Sequence, residues 1–313
     1  MKKSLNRILI VWGFLIIISA LLGRASIASD NGRASADFLN IGVGARAASM
    51  GEAYSAIAND ANAAYWNPAG LVSVKSPQLT FSHFAWYQDI TFDYLAASFP
   101  MGNRLNITAS AQYMNYGKIE GYDEQDNPTG DIGSTYDFAG AISFGYKLTD
   151  NFSAGMGIRY VAISLANLKG TALAGDVGMR YSAGNAIFGL SLSNVGQDLK
   201  FDQEKSHLPA KIRGGLALLP FGPNFIASIE GEKPLYGDMA IHNGYELKFE
   251  DRYFLRAGYS FFPRQNDRQF GQGISLGAGA ILGPTQFDYS FTPKENFSSE
   301  SIHRFSVSLN LNK

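Results

Sequence analysis

The sequence of 313 residues contains no cysteine. Disulfide bonds, thiolate zinc sites, a cysteine nucleophile and a lipidated N-terminal cysteine are therefore excluded. Charged residues are also few, at 17%, and the formal net charge is −1. Because the sequence has neither a net positive charge nor a basic cluster, we expect no binding to nucleic acid.

Signatures of catalysis and of metal binding are missing as well. The histidines are scattered along the chain: His83, His207, His242 and His303. Neither H-E-x-x-H nor G-x-S-x-G occurs. Ser82 and His83 are a possible Ser–His catalytic pair, but neighbours on one strand point to opposite faces, so we discount them. The acidic stretch around Asp123 and Asp126 lacks the spacing of a calcium loop. We therefore expect no enzyme activity, no metal and no cofactor.

Long apolar runs are absent after the first thirty residues, and none reaches the roughly 18 residues of a membrane-spanning helix. Residues 1–28 have the pattern of a secretory signal, with basic residues before an apolar stretch at 8–18 and small residues at Ser26 and Ala28. The alternative is a membrane anchor, since apolar residues continue to Gly23. We favour export with cleavage after Ala28, and a mature chain that crosses a membrane must then be a barrel.

What the sequence has in abundance is alternation. From Gln78 onward, apolar and polar residues alternate with a period of two, as in 105–112, 152–160 and 305–311, which is typical of β-strands. We place fourteen strands, each near the ten residues of a tilted membrane-spanning strand. They are 78–87, 90–99, 104–116, 134–148, 151–164, 172–182, 185–194, 209–219, 223–231, 241–250, 252–262, 272–281, 285–292 and 302–312.

The connections between these strands alternate in length. After every second strand comes a tight turn rich in Gly, Asn, Asp or Pro, such as Gly102-Asn103 and Thr149-Asp150. The other connections are mostly long and polar, apart from the first hairpin at Gln88-Asp89. The long ones are 117–133, 195–208, 263–271 and 292–301. This asymmetry is typical of outer-membrane barrels, and a soluble sandwich has no reason for it.

The strands have two unlike faces, one of Leu, Ile, Phe, Tyr and Ala, the other of Ser, Gly, Asn, Thr and Gln with charges of both signs. An Arg or Lys facing lipid at the bilayer midplane costs about 2–4 kcal/mol, so we expect the charges to face a lumen. They are Arg159, Asp176, Arg180, Lys211, Arg213, Glu230, Glu246, Lys248, Arg256 and Asp288. The alternative is the solvated face of a soluble periplasmic β-protein. Aromatic residues near strand ends, such as Trp86, Tyr116 and Tyr146, are expected in interfacial girdles.

Residues 29–76 do not alternate, and we expect them to form a partly helical plug. The Ala-rich stretch 45–65 predicts short helical turns, interrupted at Gly51 and at Asn59-Asp60, and Asn67-Pro68 stops any helix. A fourteen-strand lumen is too wide for its wall side chains to fill. The predicted organisation is therefore a signal peptide at 1–28, a plug at 29–76 and an all-β, 14-stranded antiparallel transmembrane barrel at 77–313.

Four plug residues are expected to hold this segment in place. We predict that Arg46, Asp60 and Asn67 pair with lumen charges and that Trp66 packs against the wall. Gly70, just after the Asn-Pro pair, permits a left-handed or tight backbone.

Residues 37–71, DFLNIGVGARAASMGEAYSAIANDANAAYWNPAGL, resemble the N-terminal signature of the PorV/PorQ family of outer-membrane proteins. These are similar to FadL-type fourteen-strand barrels, which also carry an Asn-Pro-Ala segment in an N-terminal hatch. The matching positions are Arg46, Met50, Gly51, Asp60, Asn62, Trp66, Asn67, Pro68, Ala69, Gly70 and Leu71. The rest of the chain agrees in length and strand rhythm only.

The resemblance implies a protein of the bacterial cell outer membrane, in contact with outer-membrane lipid, and two functions. The first is a binding and assembly role linked to type IX secretion, in which loops or a lateral gap hold secretion-system subunits or secreted cargo. The alternative is a FadL-like transporter of hydrophobic small molecules. There the plug would shift and the ligand would leave through a strand kink, for which the Gly-rich stretch 271–283 is a candidate, unless these glycines merely ease packing against the plug.

Overall fold

The protein is described by a computed structural model covering residues 35–85, 90–117, 120–123, 125–131, 133, 135–165, 168–201, 204–262, 273–293 and 301–311. The predicted signal peptide, Trp86 and the first hairpin turn lie outside the described residues. In the part of the chain that is described, no helix is both long and apolar enough to cross a bilayer.

Fourteen antiparallel strands form a closed barrel, in which each strand pairs with its neighbours along the chain and the last pairs with the first. This confirms the predicted fold class. Numbered among all strands in chain order, the barrel strands are β1 (Gln78–Ala85), β2 (Thr91–Met101), β3 (Leu105–Asn115), β6 (Tyr136–Lys147), β7 (Phe152–Leu165), β8 (Leu168–Ala183), β9 (Ala186–Gly196), β12 (Lys211–Leu218), β14 (Phe225–Pro234), β15 (Ala240–Phe249), β16 (Tyr253–Phe261), β17 (Gly273–Leu282), β18 (Thr285–Thr292) and β19 (Ile302–Asn310).

The alternation in sequence becomes an apolar exterior and a polar interior. Along β7, the side chains of Met156 and Ile158 are 62% and 67% exposed, whereas Arg159 is only 3% exposed. Apolar residues also form the outward rows of β2 and β16, where Leu95 and Leu255 are exposed. An exposed apolar band around a polar interior is the pattern of a barrel whose outer surface faces lipid.

One connection is much shorter than predicted. The strands β7 and β8 continue as a paired hairpin to Leu165 and Leu168, so only two residues join them where 165–171 was expected. This connection is short because alternation continues beyond the predicted ends of both strands.

One aromatic residue that was expected in an interfacial girdle lies elsewhere. The hydroxyl of Tyr116 donates to the buried carboxylate of Asp137, so this residue is not part of a girdle.

The polar loops contain some structure of their own. Short hairpins form from β4 (Glu120–Tyr122) with β5 (Pro128–Asp131) and from β10 (Leu199–Phe201) with β11 (Glu204–Ser206). The predicted turn at 220–222 is part of β13 (Pro220–Pro223).

The N-terminal segment runs through the barrel with only short helical pieces. These are a 3₁₀ turn η1 (Asp37–Asn40), helix α1 (Ala45–Ser49), helix α2 (Ala63–Trp66) and a second 3₁₀ turn η2 (Pro68–Ser73). Most residues between 36 and 71 are buried, including the large side chains of Tyr54 and Trp66. Among the described residues, this segment therefore supplies most of the buried apolar side chains.

Candidate functional site, the plugged lumen

The plug crosses the lumen from one mouth of the barrel to the other. At the long-loop end, the amide of Ser35 donates to the carbonyl of His207, which precedes β12. At the short-turn end, the amide of Leu311 donates to the carbonyl of Pro77, where the plug becomes β1. Because outer-membrane barrels keep their short turns in the periplasm, the plug enters at the outer end and leaves at the periplasmic end.

The local sequence explains the shape of the plug. Helix α1 follows Gly44 (φ 86) and ends at a turn where Gly51 (φ 59) is left-handed. Helix α2 ends at Asn67, whose backbone is extended (φ −165) because Pro68 follows it. The Asn67 side chain then caps η2 by accepting from the amide of Ala69 at 3.1 Å. Gly70 is within η2, and a Cβ there would lie less than 3.0 Å from the carbonyl of Ala58. The position therefore needs glycine because the space is too tight for a side chain.

Arg46 is the strongest link between the plug and the wall. Its Nε and Nη2 donate to the two oxygens of Glu246 at 2.8 and 2.9 Å, a bidentate pair. The same Glu246 accepts from Nε of Arg256 at 2.6 Å, and Nη1 of Arg256 donates to Asp288 at 2.7 Å. Two cations and two carboxylates, all buried, thus form one continuous network of hydrogen bonds.

The remaining bonds of Arg46 lie within the plug. Its Nη1 donates to Asn59 at 2.6 Å and to the hydroxyl of Tyr54 at 3.0 Å. Tyr54 in turn donates to Asp60 at 2.7 Å. Asp60 therefore pairs with Arg46, at 3.9 Å, rather than with a charge on the wall as expected.

A second network lies beside Tyr65 and Trp66. The guanidinium of Arg213 stacks over the Trp66 ring at 4.7 Å from its centroid and pairs with Glu232 at 2.7 Å and with Glu230 at 3.6 Å. Lys211 lies 3.4 Å from Glu232. Trp66 thus contacts the wall as expected, through a cation–π interaction.

Backbone groups provide further links. The amide of Ser55 donates to Glu230 at 2.7 Å, and Nε of Arg180 donates to the carbonyl of Ala56 at 3.0 Å. Asn67 donates to the carbonyl of Met179 on the wall at 3.0 Å, so its partner is a backbone carbonyl rather than the expected charge. Each of these three bonds thus joins a side chain of one part, wall or plug, to the backbone of the other.

Several of the charges assigned to the lumen form their ion pairs within the wall or its turns, and Arg159 and Lys248 are two examples. Arg159 pairs with Asp176 at 2.8 Å and is almost fully buried. Lys248 lies at the periplasmic rim, where its Nζ is 2.8 Å from Asp251 in the next turn and holds the pKa of that carboxylate below its usual value. Of the other plug positions, Met50, Asn62, Pro68 and Ala69 are all buried.

Apart from Gly277, which lies in the stretch 271–283 already considered for packing against the plug, the glycines in the wall are contacts that the sequence reasoning missed. A Cβ at any of them would lie less than 3.0 Å from plug atoms: Gly145, Gly155, Gly178, Gly189, Gly215, Gly244, Gly258 and Gly277. For Gly244 and Gly258 these atoms are backbone atoms of Met50 and Gly51. All of these glycines lie on the inward face, at the same alternate positions as the inward Ser, Arg and Glu residues. This spacing was visible in the sequence and could have assigned the glycines to the face that contacts the plug.

The residues considered for catalysis are not brought together. Ser82 bonds to Ser306 inside the barrel at 2.8 Å, while His83 bonds to Asp93 on the other face at 2.7 Å. Asp123 accepts from the amides of Gln125 and Asn127, and the bonds from Asn127 lower its pKa. Among the described residues, no group of His, Asp and Glu is arranged to hold a metal ion.

These features define the class of the protein, an outer-membrane β-barrel whose lumen is occupied by its own N-terminal segment. The family model described as type IX secretion system protein PorV matches residues 28–253. The chain therefore belongs to the PorV family. The match covers the whole described plug and the wall as far as β15, and no curated protein matches the chain.

Solved structures with the same fold are hydrocarbon and FadL-type barrels. The Pseudomonas putida toluene transporter TodX is 16% identical, with 85% of this chain and 97% of that chain covered and a TM-score of 0.65. A Pseudomonas aeruginosa FadL homologue is 13% identical over 86% of this chain and 98% of that chain, with a TM-score of 0.58. The Ralstonia pickettii toluene transporter TbuX is 12% identical over 86% and 98%, with a TM-score of 0.57. Identities this low show the fold alone.

Proposed function

We propose that the protein is exported, loses residues 1–28, and acts in the outer membrane as a partner-binding barrel of a type IX secretion system. Its partners are secretion-system subunits or secreted cargo, bound at the long-loop end. The family match supports the link to secretion. The observation that carries the binding role is the bidentate bond between Arg46 of the plug and Glu246 of the wall, buried in the lumen.

That bond favours a scaffold over a passage. Binding a partner from outside needs a rigid surface, whereas transport through the lumen needs the plug to move. Movement would break the pair of Arg46 with Glu246 and leave buried charges without partners, which is strongly unfavourable. It would also remove Trp66 from the guanidinium of Arg213, and it would separate the wall glycines from the plug backbone that they accommodate.

The alternative function, transport of a hydrophobic small molecule, is supported by the fold of the toluene transporters and by one irregularity in the wall. The predicted kink at 271–283 is not seen within Gly273–Leu282, where pairing continues without a register shift. Gly277 instead leaves room for Ser49 of the plug. This agrees with the alternative that glycines in this stretch ease packing against the plug. The irregularity lies instead in the pairing of β8 with β9. The register shifts between Gly175 and Val177 of β8, and Asn194 on the facing strand has a left-handed backbone (φ 60).

Locking the plug with a disulfide separates the two functions. Ala56 lies in the plug, and its Cβ is 3.3 Å from the position of a Cβ on Gly215 of β12, close to the spacing of a disulfide. The nearest plug atom to that Cβ is the Ser55 hydroxyl at 2.8 Å, which can rotate aside, whereas the atoms that face Gly258 belong to the plug backbone. The chain has no other cysteine to interfere. We expect oxidised Ala56→Cys/Gly215→Cys to capture the same partners as the wild type after cross-linking in intact outer membranes, as measured by mass spectrometry.

The reduced double variant and the two single variants are the controls. If oxidation abolishes partner capture, the rigid-scaffold proposal is wrong. Uptake of radiolabelled toluene that is present in the reduced form and lost on oxidation would identify the protein as a transporter instead.

The proposed location has its own test. We expect the protein from membranes to begin at Ser29 on N-terminal sequencing and to migrate faster on a gel when unheated, because a closed barrel resists detergent unfolding. A chain found in the periplasm without detergent, or one that retains residues 1–28, would contradict this part of the proposal.

A further inference from the structure

A cavity of about 380 Å³ opens at the periplasmic mouth, between the end of the plug and the rim of the wall. The turn between β2 and β3, the end of β6 and plug residues 72–75 enclose it. Its lining is Val72, Val74, Lys75, Pro100, Gly102, Asn103, Arg104, Leu105, Asn106 and Lys147.

The lining is basic. It contains Lys75, Arg104 and Lys147 and not one carboxylate. The acid that neighbours it is Asp150, 94% exposed in the next turn, which binds Nζ of Lys147 at 2.8 Å and has its pKa lowered by that lysine. Nζ of Lys75 donates to the carbonyl of Val72 at 2.7 Å, which holds this cation near the plug. The cavity therefore has a net positive charge.

Asn106 adds a second, independent observation. Its side chain is 1% exposed, and its Oδ1 accepts from the hydroxyls of Ser98 and Thr108 at 2.9 and 3.0 Å. Its Nδ2 has no hydrogen-bond partner among the described residues. The lining thus contains this amide donor beside three cations, a set of groups that favours an acceptor-rich ligand.

A second cavity, at other turns of the same rim, shows that this charge is not general to the rim. It measures about 470 Å³ and is lined by Glu250, Asp251 and Arg252 together with apolar residues. There Lys248 pairs with Asp251 at 2.8 Å, with the same spacing in sequence as Lys147 and Asp150. Acidic groups outnumber basic ones in that lining, although the turns are alike.

We propose that the basic cavity binds a phosphate group, either the head group of an inner-leaflet phospholipid or free phosphate from the periplasm. Arg104 presents the planar set of donors that binds phosphate oxygens in pairs, and Lys75 and Lys147 add point charges. Val74, Pro100 and Leu105 accommodate apolar atoms next to the phosphate. This site does not depend on the proposed function.

Binding is measured on the full barrel in zwitterionic detergent at low salt. Inorganic phosphate is titrated by calorimetry, and native mass spectrometry records the lipid retained from an equimolar mixture of phosphatidylglycerol and phosphatidylcholine. We expect one phosphate, or one phosphatidylglycerol, per wild-type barrel. Arg104→Gln/Lys147→Gln is expected to weaken binding about 100-fold, or about tenfold per lost cation. The matched control Lys248→Gln leaves binding unchanged.

The two probes identify the source of the phosphate. Retention of phosphatidylglycerol without binding of inorganic phosphate assigns the site to lipid, and the reverse assigns it to free phosphate. The proposal is overturned if neither probe binds, if the double variant binds like the wild type, or if Lys248→Gln weakens binding equally. Faster migration of each unheated variant verifies that its barrel is closed.

Discussion

Replacing Glu246 by methionine is expected to loosen the plug and to lower the free energy of unfolding by about 3–5 kcal/mol, the range for breaking a buried ion pair. The two oxygens of Glu246 accept from Arg46 and from Arg256. Without this carboxylate, two buried guanidinium groups face each other across the space that it occupied. Methionine has a similar volume, so the loss is electrostatic rather than a packing defect.

Trypsin cleavage after Arg46 measures the release directly. This residue is 9% exposed in the wild type, so the peptide bond after it should resist the protease while the plug is seated. We expect cleavage there in Glu246→Met, detected as a new N-terminus at Ala47, and a lower midpoint in urea. Wild-type resistance in this variant would show that the ion pair does not hold the plug.

Two further variants isolate the charge. Glu246→Gln keeps an acceptor oxygen in place and should have a smaller effect. Arg46→Met/Glu246→Met removes one cation with the anion and leaves Arg256 paired with Asp288. It should recover part of the lost stability, because no buried charge is then without a partner. Arg46→Met alone completes the cycle with Glu246→Met, and an effect in the double variant equal to the sum of these two would mean that the residues are not coupled.

The barrel itself was predictable because its determinants are local. Alternation with a period of two assigns each residue to a face, and Gly, Asn, Asp and Pro mark the tight turns. The end of helix α2 at Asn67 was likewise set by the next residue, Pro68. Where alternation continues past the predicted strand ends, as it does to Leu165 and Leu168, the predicted loop was too long.

The pairing inside the lumen was not predictable because it is non-local. Arg46 and Glu246 are 200 positions apart, and nothing in the pattern selects this partner from the other inward charges. Asp60 and Asn67 illustrate the limit, since both lie in the lumen yet bond to the plug itself and to backbone carbonyls. Which charges meet depends on how the plug folds against all of the strands at once.

The glycine contacts support a second large effect, that of Gly258→Val. A Cβ at this position in β16 would lie less than 3.0 Å from the amide of Gly51 and the carbonyl carbon of Met50. The plug backbone has little room to yield. The amide of Gly51 donates to Ser275 at 3.1 Å, and its carbonyl accepts from Ser260 at 2.8 Å.

We expect Gly258→Val to displace the plug and to lower the free energy of unfolding by about 3 kcal/mol or more, at or beyond the upper end of overpacking costs. Gly231→Val is the matched control, because a Cβ there has only the end of Met239, at 3.7 Å, within 4 Å. Both variants add the same side chain to a strand, so a difference between them reports the plug. Cleavage after Arg46 should increase in Gly258→Val alone, while unheated migration shows that both barrels stay closed. Equal protease resistance in the two variants would mean that the wall glycines tolerate side chains, and that the ion pairs and hydrogen bonds between plug and wall keep the plug in the lumen.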